Sequence, residues 1–229
     1  MTDVERTAVD TVIEARKSVR AYKKDPVPLE LITHVLEVAS RAPSATNMQP
    51  WKVYVLTGDA LARTTIAVSD AFDGEPGQYR AEYPYYPAKH FEPYLSRRRK
   101  LGYDLYGLVG IPKGDKEKMH AQQRRNYTFF DAPVGLLFTL HRDLPCGNFI
   151  DYGAFLENVM LSAKSHGLDT CLQAGWSDYH TVLRKVLPID KTEMVLAGMA
   201  LGHADPKAPV NRLVTEREPV SSFTTFLEK

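Results

Sequence analysis

The sequence predicts a three-layer α/β or α+β domain, and three observations predict it. Residues 53–56, 134–140 and 194–201 are nearly unbroken apolar runs of strand length, so each reads as a strand covered on both faces. Between them lie longer segments whose apolar residues recur at helical spacing. The last stretch, 207–229, carries Val210, Leu213, Val214, Val220, Phe223, Phe226 and Leu227 without a clean period. It has too little apolar surface to fold alone and must pack on something else, for which a partner subunit is a natural recipient.

In chain order, Val9, Val12 and Ile13 form a short helical stripe that ends in a basic cluster. Pro26 and Pro28 break the chain, and Pro28 suits the first turn of the next helix. Apolar residues at 31, 32, 35, 36, 38, 39 and 42 give a helix over 29–42 with one broad buried face. Pro43 stops it, because the residue before a proline is pushed out of the α region. A strand over 51–57 follows, closed by Gly58 and Asp59, and then a helix through Ile66 and Val68.

Residues 73–114 differ in character. They hold seven of the twelve tyrosines and are punctuated by Gly74, Pro76, Gly77, Pro84, Pro87, Pro93 and Pro112. They read as an insertion of loops and short helices within a single domain spanning 1–229. The insertion is either a surface excursion stabilised by its own aromatics or a lid presenting flat rings to a flat substrate. Residues 116–127 make a polar helix, and 134–140 the second strand. Asp151 is expected to cap a helix carrying Phe155, Leu156, Val159 and Ala163 on its apolar side, with Gly167 just past its end. A short extended segment at 170–172, a helix capped by Asp178 and stopped by Pro188, and a strand ended by Gly202 complete the pattern.

A chain of 229 residues buries a substantial core, and 44% apolar with 25% charged residues is ordinary for a globular protein. A formal charge of +1 argues against nucleic-acid binding as its main business. The one strongly basic run, Arg97-Arg98-Arg99-Lys100, reads as a solvated helix face. No apolar stretch approaches the roughly 20 residues that cross a bilayer. The first ten residues carry acids and no apolar signal core. Cys146 and Cys171 form no C-x-x-C pair, so a cytoplasmic location is expected, with neither membrane nor nucleic acid as partner.

Two segments carry the functional signal. Arg16-Lys17-Ser18-Val19-Arg20 packs three cations and a hydroxyl into a few residues, a composition suited to a dianionic phosphate. Residues 43–51, Pro-Ser-Ala-Thr-Asn-Met-Gln-Pro-Trp, form a turn rich in short polar side chains able to hydrogen-bond the edge of a planar heteroaromatic. Together they suggest a phosphorylated cofactor held without a glycine-rich loop. No dinucleotide fingerprint, P-loop, H-E-x-x-H or nucleophile elbow is present, and the seven histidines lack metal-ligand spacing. The reactive chemistry is therefore expected from a bound organic cofactor, with no metal and no catalytic side-chain triad.

At this point the residues resemble a known family. R-K-S-V-R-A-Y at 16–22 and A-P-S-A-T-N-M-Q-P-W at 42–51 are similar to motifs of the nitroreductase family of FMN-dependent oxidoreductases. So are D-Y-G-A-F-L-E-N-V-M-L-S-A-K-S-H-G-L-D-T at 151–170, L-A-G-M-A-L-G-H-A-D at 196–205 and R-L-V-T-E-R-E-P-V at 212–220. The resemblance implies an α+β, three-layer homodimer with a central mixed sheet, a C-terminal arm exchanged between subunits, and FMN at the interface. By position, Arg16, Lys17, Ser18 and Arg20 match phosphate and isoalloxazine contacts, and Arg217 a second phosphate-binding cation. Pro43, Ser44 and Asn47 match residues reaching the flavin from the other subunit. Gln173, Ala174 and Gly175 match the segment passing over flavin N5, and Arg125, among Arg124, Arg125 and Asn126, the contact to the pyrimidine edge. Two departures stand out: Thr215 where many members are basic, and the small, neutral Ala174 where relatives are often acidic.

The resemblance further implies ping-pong turnover with NAD(P)H as hydride donor and a nitroaromatic or quinone-like acceptor. A basic residue such as Arg97 or Arg125 would hold a carboxylate or phenolate on that substrate. Reductive dehalogenation, alkene reduction and a flavin-binding redox protein with incidental reductase activity are the alternatives the family leaves open.

Overall fold

The computed structural model describes residues 5–74 and 77–227. Its centre is a four-stranded sheet in the order β1 (Lys52–Leu56), β2 (Val134–His141), β4 (Glu193–Gly202), β3 (Asp169–Gln173). All three pairings are antiparallel. The parallel component of the expected mixed sheet is confined to one bridge, Ser18 to Thr170. Helices α2 (Leu29–Ala39) and α6 (Asn148–Ser165) cover one face, while α3 (Gly58–Asp73) and α7 (His180–Val186) pack on the other. Helices α1 (Ala8–Ala15), α4 (Tyr94–Leu108) and α5 (Lys116–Arg124) lie outside this sandwich and bury no residue fully.

The apolar runs of β2 and β4 divide residue by residue between the two layers. Leu136, Phe138 and Leu140 face α2 and α6, whereas Leu137 faces the opposite core. In β4 the alternation is broken on purpose of geometry: Phe138 pairs with Ala197 and Thr139 with Val195, so Leu196 is the extra residue of a β-bulge. Leu196 and Ala197 therefore point to the same side. Gly198 then faces Trp176, whose ring lies 2.5 Å from where a Cβ would stand. Gly135 is likewise covered by the ring of Phe129, and the two rings stack with centroids 4.0 Å apart. The two glycines thus make room for the ring edges of a stacked aromatic pair against the sheet.

Several expected boundaries move for identifiable reasons. Helix α2 ends at Ala39, and Arg41 and Ala42 close i→i+3 turns before Pro43 is reached. Pro28 takes the N-cap position, its carbonyl accepting from Leu31 and Ile32. Strand β1 is an edge strand and only partly buried, not covered on both faces. Asp151 and Asp178 are not caps. Helix α6 begins earlier, and Asp151 instead accepts from the Ala45 N–H and Asn148 Nδ2, while Asp178 accepts from the Ala81 N–H. Gly167 does close α6, at φ +74°, with Leu168 N–H returning to Ala163. Among the described residues the insertion holds one helix of 15 residues, α4, in place of several short ones.

A buried carboxylate ties the start of β4 to its neighbours. Glu193 accepts from Lys52 Nζ, from Tyr54 Oη at 2.9 Å and from Thr139 Oγ1 at 2.6 Å. Burial alone would push this carboxyl up; the donors from Lys52, Thr139 and Tyr54 outweigh it and hold the group below its usual 4.5. A depressed folded-state value contributes stability above the ordinary carboxyl range and loses it as pH falls through that depressed value. Glu193→Gln should therefore be less stable than the parent at pH 7 yet lose less stability between pH 7 and pH 4 in urea unfolding. Parallel acid limbs for the two proteins would contradict this.

Candidate functional site

The N-terminal basic segment continues from α1 as an extended strip laid against the sheet edge. Val19 N–H donates to Thr170 O, Lys23 N–H to His203 O, and Asp205 N–H to Ala21 O. Val19, Ala21 and Tyr22 are buried, so the intervening Ser18 and Arg20 are turned outward. A single residue from the far end of the chain locks the strip. Asn211 accepts the Arg20 N–H at 2.8 Å and donates to Ala21 O at 2.8 Å and Asp205 O at 2.9 Å, and its own carbonyl accepts Lys17 Nζ at 2.7 Å.

This staple brings the two ends of the chain to one cavity of about 580 Å³. Its walls include Arg16, Lys17, Ser18, Arg20, Glu157 of α6, Thr215 and Arg217. Four cations and two carboxylates, Glu14 and Glu157, line it, and Glu14 is already paired with Arg6. Arg16 lies 3.5 Å from Glu157, whereas Arg20 and Arg217 have no acidic partner among the described residues. Arg217 is oriented by its own backbone, Nη1 donating to Thr215 O, Thr215 Oγ1 and Glu216 O. Thr215, at the position where many members are basic, here accepts from the Arg217 guanidinium. Unpaired guanidinium groups converging with a serine hydroxyl fit a dianionic phosphate.

A second, apolar cavity of about 300 Å³ lies one turn along α6. Ala174, Leu172, Gly153, Leu156, Phe149 and two insertion tyrosines, Tyr83 and Tyr85, line it. Tyr83 is fixed there because its hydroxyl donates to Leu196 O at 2.6 Å, at the bulge. Burial pushes the Tyr83 phenol up to about 12, so it remains a donor at neutral pH. Glu82, beside it, pairs with Arg142 and Arg184, which anchors this part of the insertion to the sheet.

Segment 173–175 joins the end of β3 to a 3₁₀ turn. Gln173 Nε2 and Trp176 Nε1 both donate to Asn126 O, at 2.6 and 3.1 Å. Gln173 Oε1 is buried without a hydrogen-bond partner among the described residues, and Gln173 lines neither cavity. Gly175 lies where a Cβ would stand 3.0 Å from the Tyr127 hydroxyl, so only glycine fits without displacement. Asn126 opens a strained loop in which Phe129, Phe130 and Asp131 have φ of 51°, 53° and 65°. The same left-handed backbone recurs in the turn 44–49, at Thr46, Asn47 and Gln49.

Of the residues expected in the site, the structure brings Arg16, Lys17, Ser18, Arg20 and Arg217 to one cavity and Ala174 to the next. Pro43, Ser44 and Asn47 lie elsewhere in the protomer, on a turn against the start of α6, where Ser44 Oγ accepts the Gln49 N–H. Arg125 lines neither cavity; its guanidinium faces Asp131 at 3.4 Å, and Arg124 pairs with Asp73 at 2.6 Å. The backbone of Asn126, not an arginine, is what meets segment 173–175. Arg97 pairs with Glu218 at 2.9 Å, away from the apolar cavity. Asn211 escaped the sequence reading because its neighbours, Pro209-Val210-Asn211-Arg212, carry no motif; only its burial reveals it.

Comparisons with known proteins bear on the chain as a whole. The model of the nitroreductase family matches residues 13–203. A chloronitrobenzene nitroreductase of Comamonas testosteroni is 42% identical over 221 residues, 96% of this chain and 97% of that protein. A 4-nitrobenzoate reductase of Nocardioides sp. (strain LMS-CY) is 40% identical over 223 residues, 96% of this chain and 90% of that one. The crystal structure of an FMN and NADPH-dependent nitroreductase from sphigopyxis sp. strain HMH superposes with a TM-score of 0.94 at 34% identity, covering 97% of this chain and 100% of that chain.

Asn211→Ala should leave the Arg20 N–H without a partner and Ala21 O with only the Asp205 N–H, the orphaned donor alone costing about 1–3 kcal/mol. Urea unfolding measures this; a loss below about 1 kcal/mol would remove Asn211 from its central position.

Proposed function

The chain belongs to the nitroreductase family, and from that premise we propose that it is an FMN-dependent oxidoreductase that uses NAD(P)H to reduce nitroaromatic acceptors. NADPH is the donor named for the structural relative, and nitroarenes are the substrates named for both sequence relatives. The carrying observation is the cavity where Arg16, Lys17, Ser18 and Arg20 meet Arg217.

FMN, when bound, supplies the two-electron chemistry between nicotinamide and nitro group. The residues of the chain do the rest. Arg20 and Arg217, free of acidic partners, bind the phosphate, with Arg16, Lys17 and Ser18 beside them. Segment 173–175, held by the Asn126 carbonyl, presents its backbone at Ala174 to the ring system. The apolar cavity under Tyr83, Tyr85 and Phe149 excludes water and accepts a flat ring. No ionised side chain lies in the segment over the flavin, so protons come from solvent. Nicotinamide and acceptor use this space in turn, which is ping-pong turnover. The insertion, 73–114, serves as the lid of the same domain.

We place Pro43, Ser44 and Asn47 at the site of a second copy. Support comes from their distance from the phosphate cavity in their own protomer and from the apolar surface left uncovered. Ile150 is 80% exposed and Phe226 74%, and Val220, Phe223 and Leu227 are also exposed. Exchange of an arm is assigned to residues 219–227, since Arg217 completes the cavity of its own chain. Among the described residues no helix is long and apolar enough to cross a membrane. Cys146 and Cys171 are free thiols, which supports a cytoplasmic location.

The double variant Arg20→Ala/Arg217→Ala should lose its flavin on desalting, since each charge-assisted contact contributes on the order of 1.5–3 kcal/mol. The parent should consume NAD(P)H in proportion to added nitroarene. Full flavin retention by the variant, or reoxidation of the parent by oxygen alone, would overturn the reading.

A further inference from the structure

Helix α4 has no fully buried residue and a strongly basic face, yet it is not simply solvated. Arg97 donates to Glu218 Oε1 from both Nε, at 3.1 Å, and Nη2, at 2.9 Å. One turn on, Lys100 reaches Glu216 at 3.5 Å while bonding Asp104 at 2.7 Å. Leu101 of the same helix lines the phosphate cavity and also a second cavity of about 500 Å³ beside the tail. Thr215 and Arg217 line both as well.

The tail around these contacts is irregular, and its residues divide by side. Glu216 and Glu218 engage α4, and Arg217 between them joins the opposite wall of basic residues. Two consequences follow from the pairing. The rotation of the tail about its own axis is fixed, so the Arg217 guanidinium is held at the cavity. The two carboxylates flanking Arg217 are also neutralised by cations of α4, which removes their repulsion of a nearby dianion.

We infer that Arg97 and Lys100 of the insertion are positioning residues for the cofactor phosphate, clasping the tail through Glu218 and Glu216 so that Arg217 faces the cavity. The inference rests on the phosphate assignment above and gives the insertion a second task besides covering the aromatic slot. The clasp touches no reacting atom. Its contribution is that of a half-exposed ion pair, which corresponds to an affinity change of about three- to fivefold.

The test is the affinity of the apoprotein for FMN, read by quenching of flavin fluorescence, for the parent, Arg97→Glu, Glu218→Arg and the double exchange. Each single exchange should weaken binding about three- to fivefold, and the double exchange should restore it to within twofold of the parent. Rising NaCl should close the gap between parent and single variants. Thermal unfolding of the same proteins should stay near the parent, because Arg97 and Glu218 are half-exposed and α4 has no fully buried residue. Arg217→Ala separates the two levels of the argument. If it binds FMN weakly while the α4 variants bind like the parent, the clasp is wrong and the phosphate site stands. If Arg217→Ala itself binds like the parent, the phosphate assignment fails. Single variants that weaken binding without rescue by the exchange would also overturn the clasp.

Discussion

The side chain of Asn211 is the constraint on which the site depends. Residues 16–20 and 217 are separated by nearly the whole sequence, and no helix or strand of the sheet connects them directly. One buried amide satisfies the Arg20 N–H, the Ala21 carbonyl and the Asp205 carbonyl at once, and its own backbone holds Lys17. Buried amides are fully used only in one geometry, so the strip and the tail meet in one register. The guanidinium groups are left facing outward, with no acidic partner for Arg20 or Arg217 among the described residues. A cluster of unpaired cations is costly in self-repulsion, and a bound dianion relieves it.

The sheet serves the site by holding rigid what lies around it. Covering both faces lets β2 and β4 be largely apolar, and the bulge at Leu196 resets the alternation so that Gly198 lies under Trp176. The stack of Trp176 on Phe129 then fixes the strained loop whose carbonyl, on Asn126, holds Gln173. Left-handed backbone at three successive non-glycine residues, 129–131, persists because buried rings over-determine it. The same bulge receives the hydroxyl of Tyr83, so one irregularity of β4 anchors both the cavity wall and the insertion.

Much of this was legible in the sequence where a local rule applied. The apolar runs located β1, β2 and β4, the 3.6-residue periods located α2 and α6, and Gly167 marked the end of α6. The runs do not reveal strand direction: being apolar throughout reports two covered faces, and here that occurs in an antiparallel sheet. Asp151 and Asp178 misled because a carboxylate near a helix start looks like a cap, whereas both bond to distant backbone N–H groups, of Ala45 and Ala81. Composition drew attention to the basic cluster at 16–20 and family resemblance to the tail arginine, and these residues line one cavity. Arg125 lines neither cavity, because its orientation turns on a loop conformation that no period encodes. Asn211 and the α4 clasp depend on contacts across more than a hundred residues, which spacing along the chain cannot show.

The account stands or falls on whether the phosphate is what these residues recognise. The direct measurement is the affinity of the apoprotein for FMN set beside that for riboflavin, which shares the ring system and ribityl chain but lacks the phosphate. Two charge-assisted contacts at the lower end of their usual range, about 3 kcal/mol together, correspond to about a hundredfold. FMN should bind more tightly by at least about that factor, with the difference shrinking as salt is raised. Equal affinities for the two flavins would contradict the assignment of the cavity formed by Arg16, Lys17, Ser18, Arg20 and Arg217.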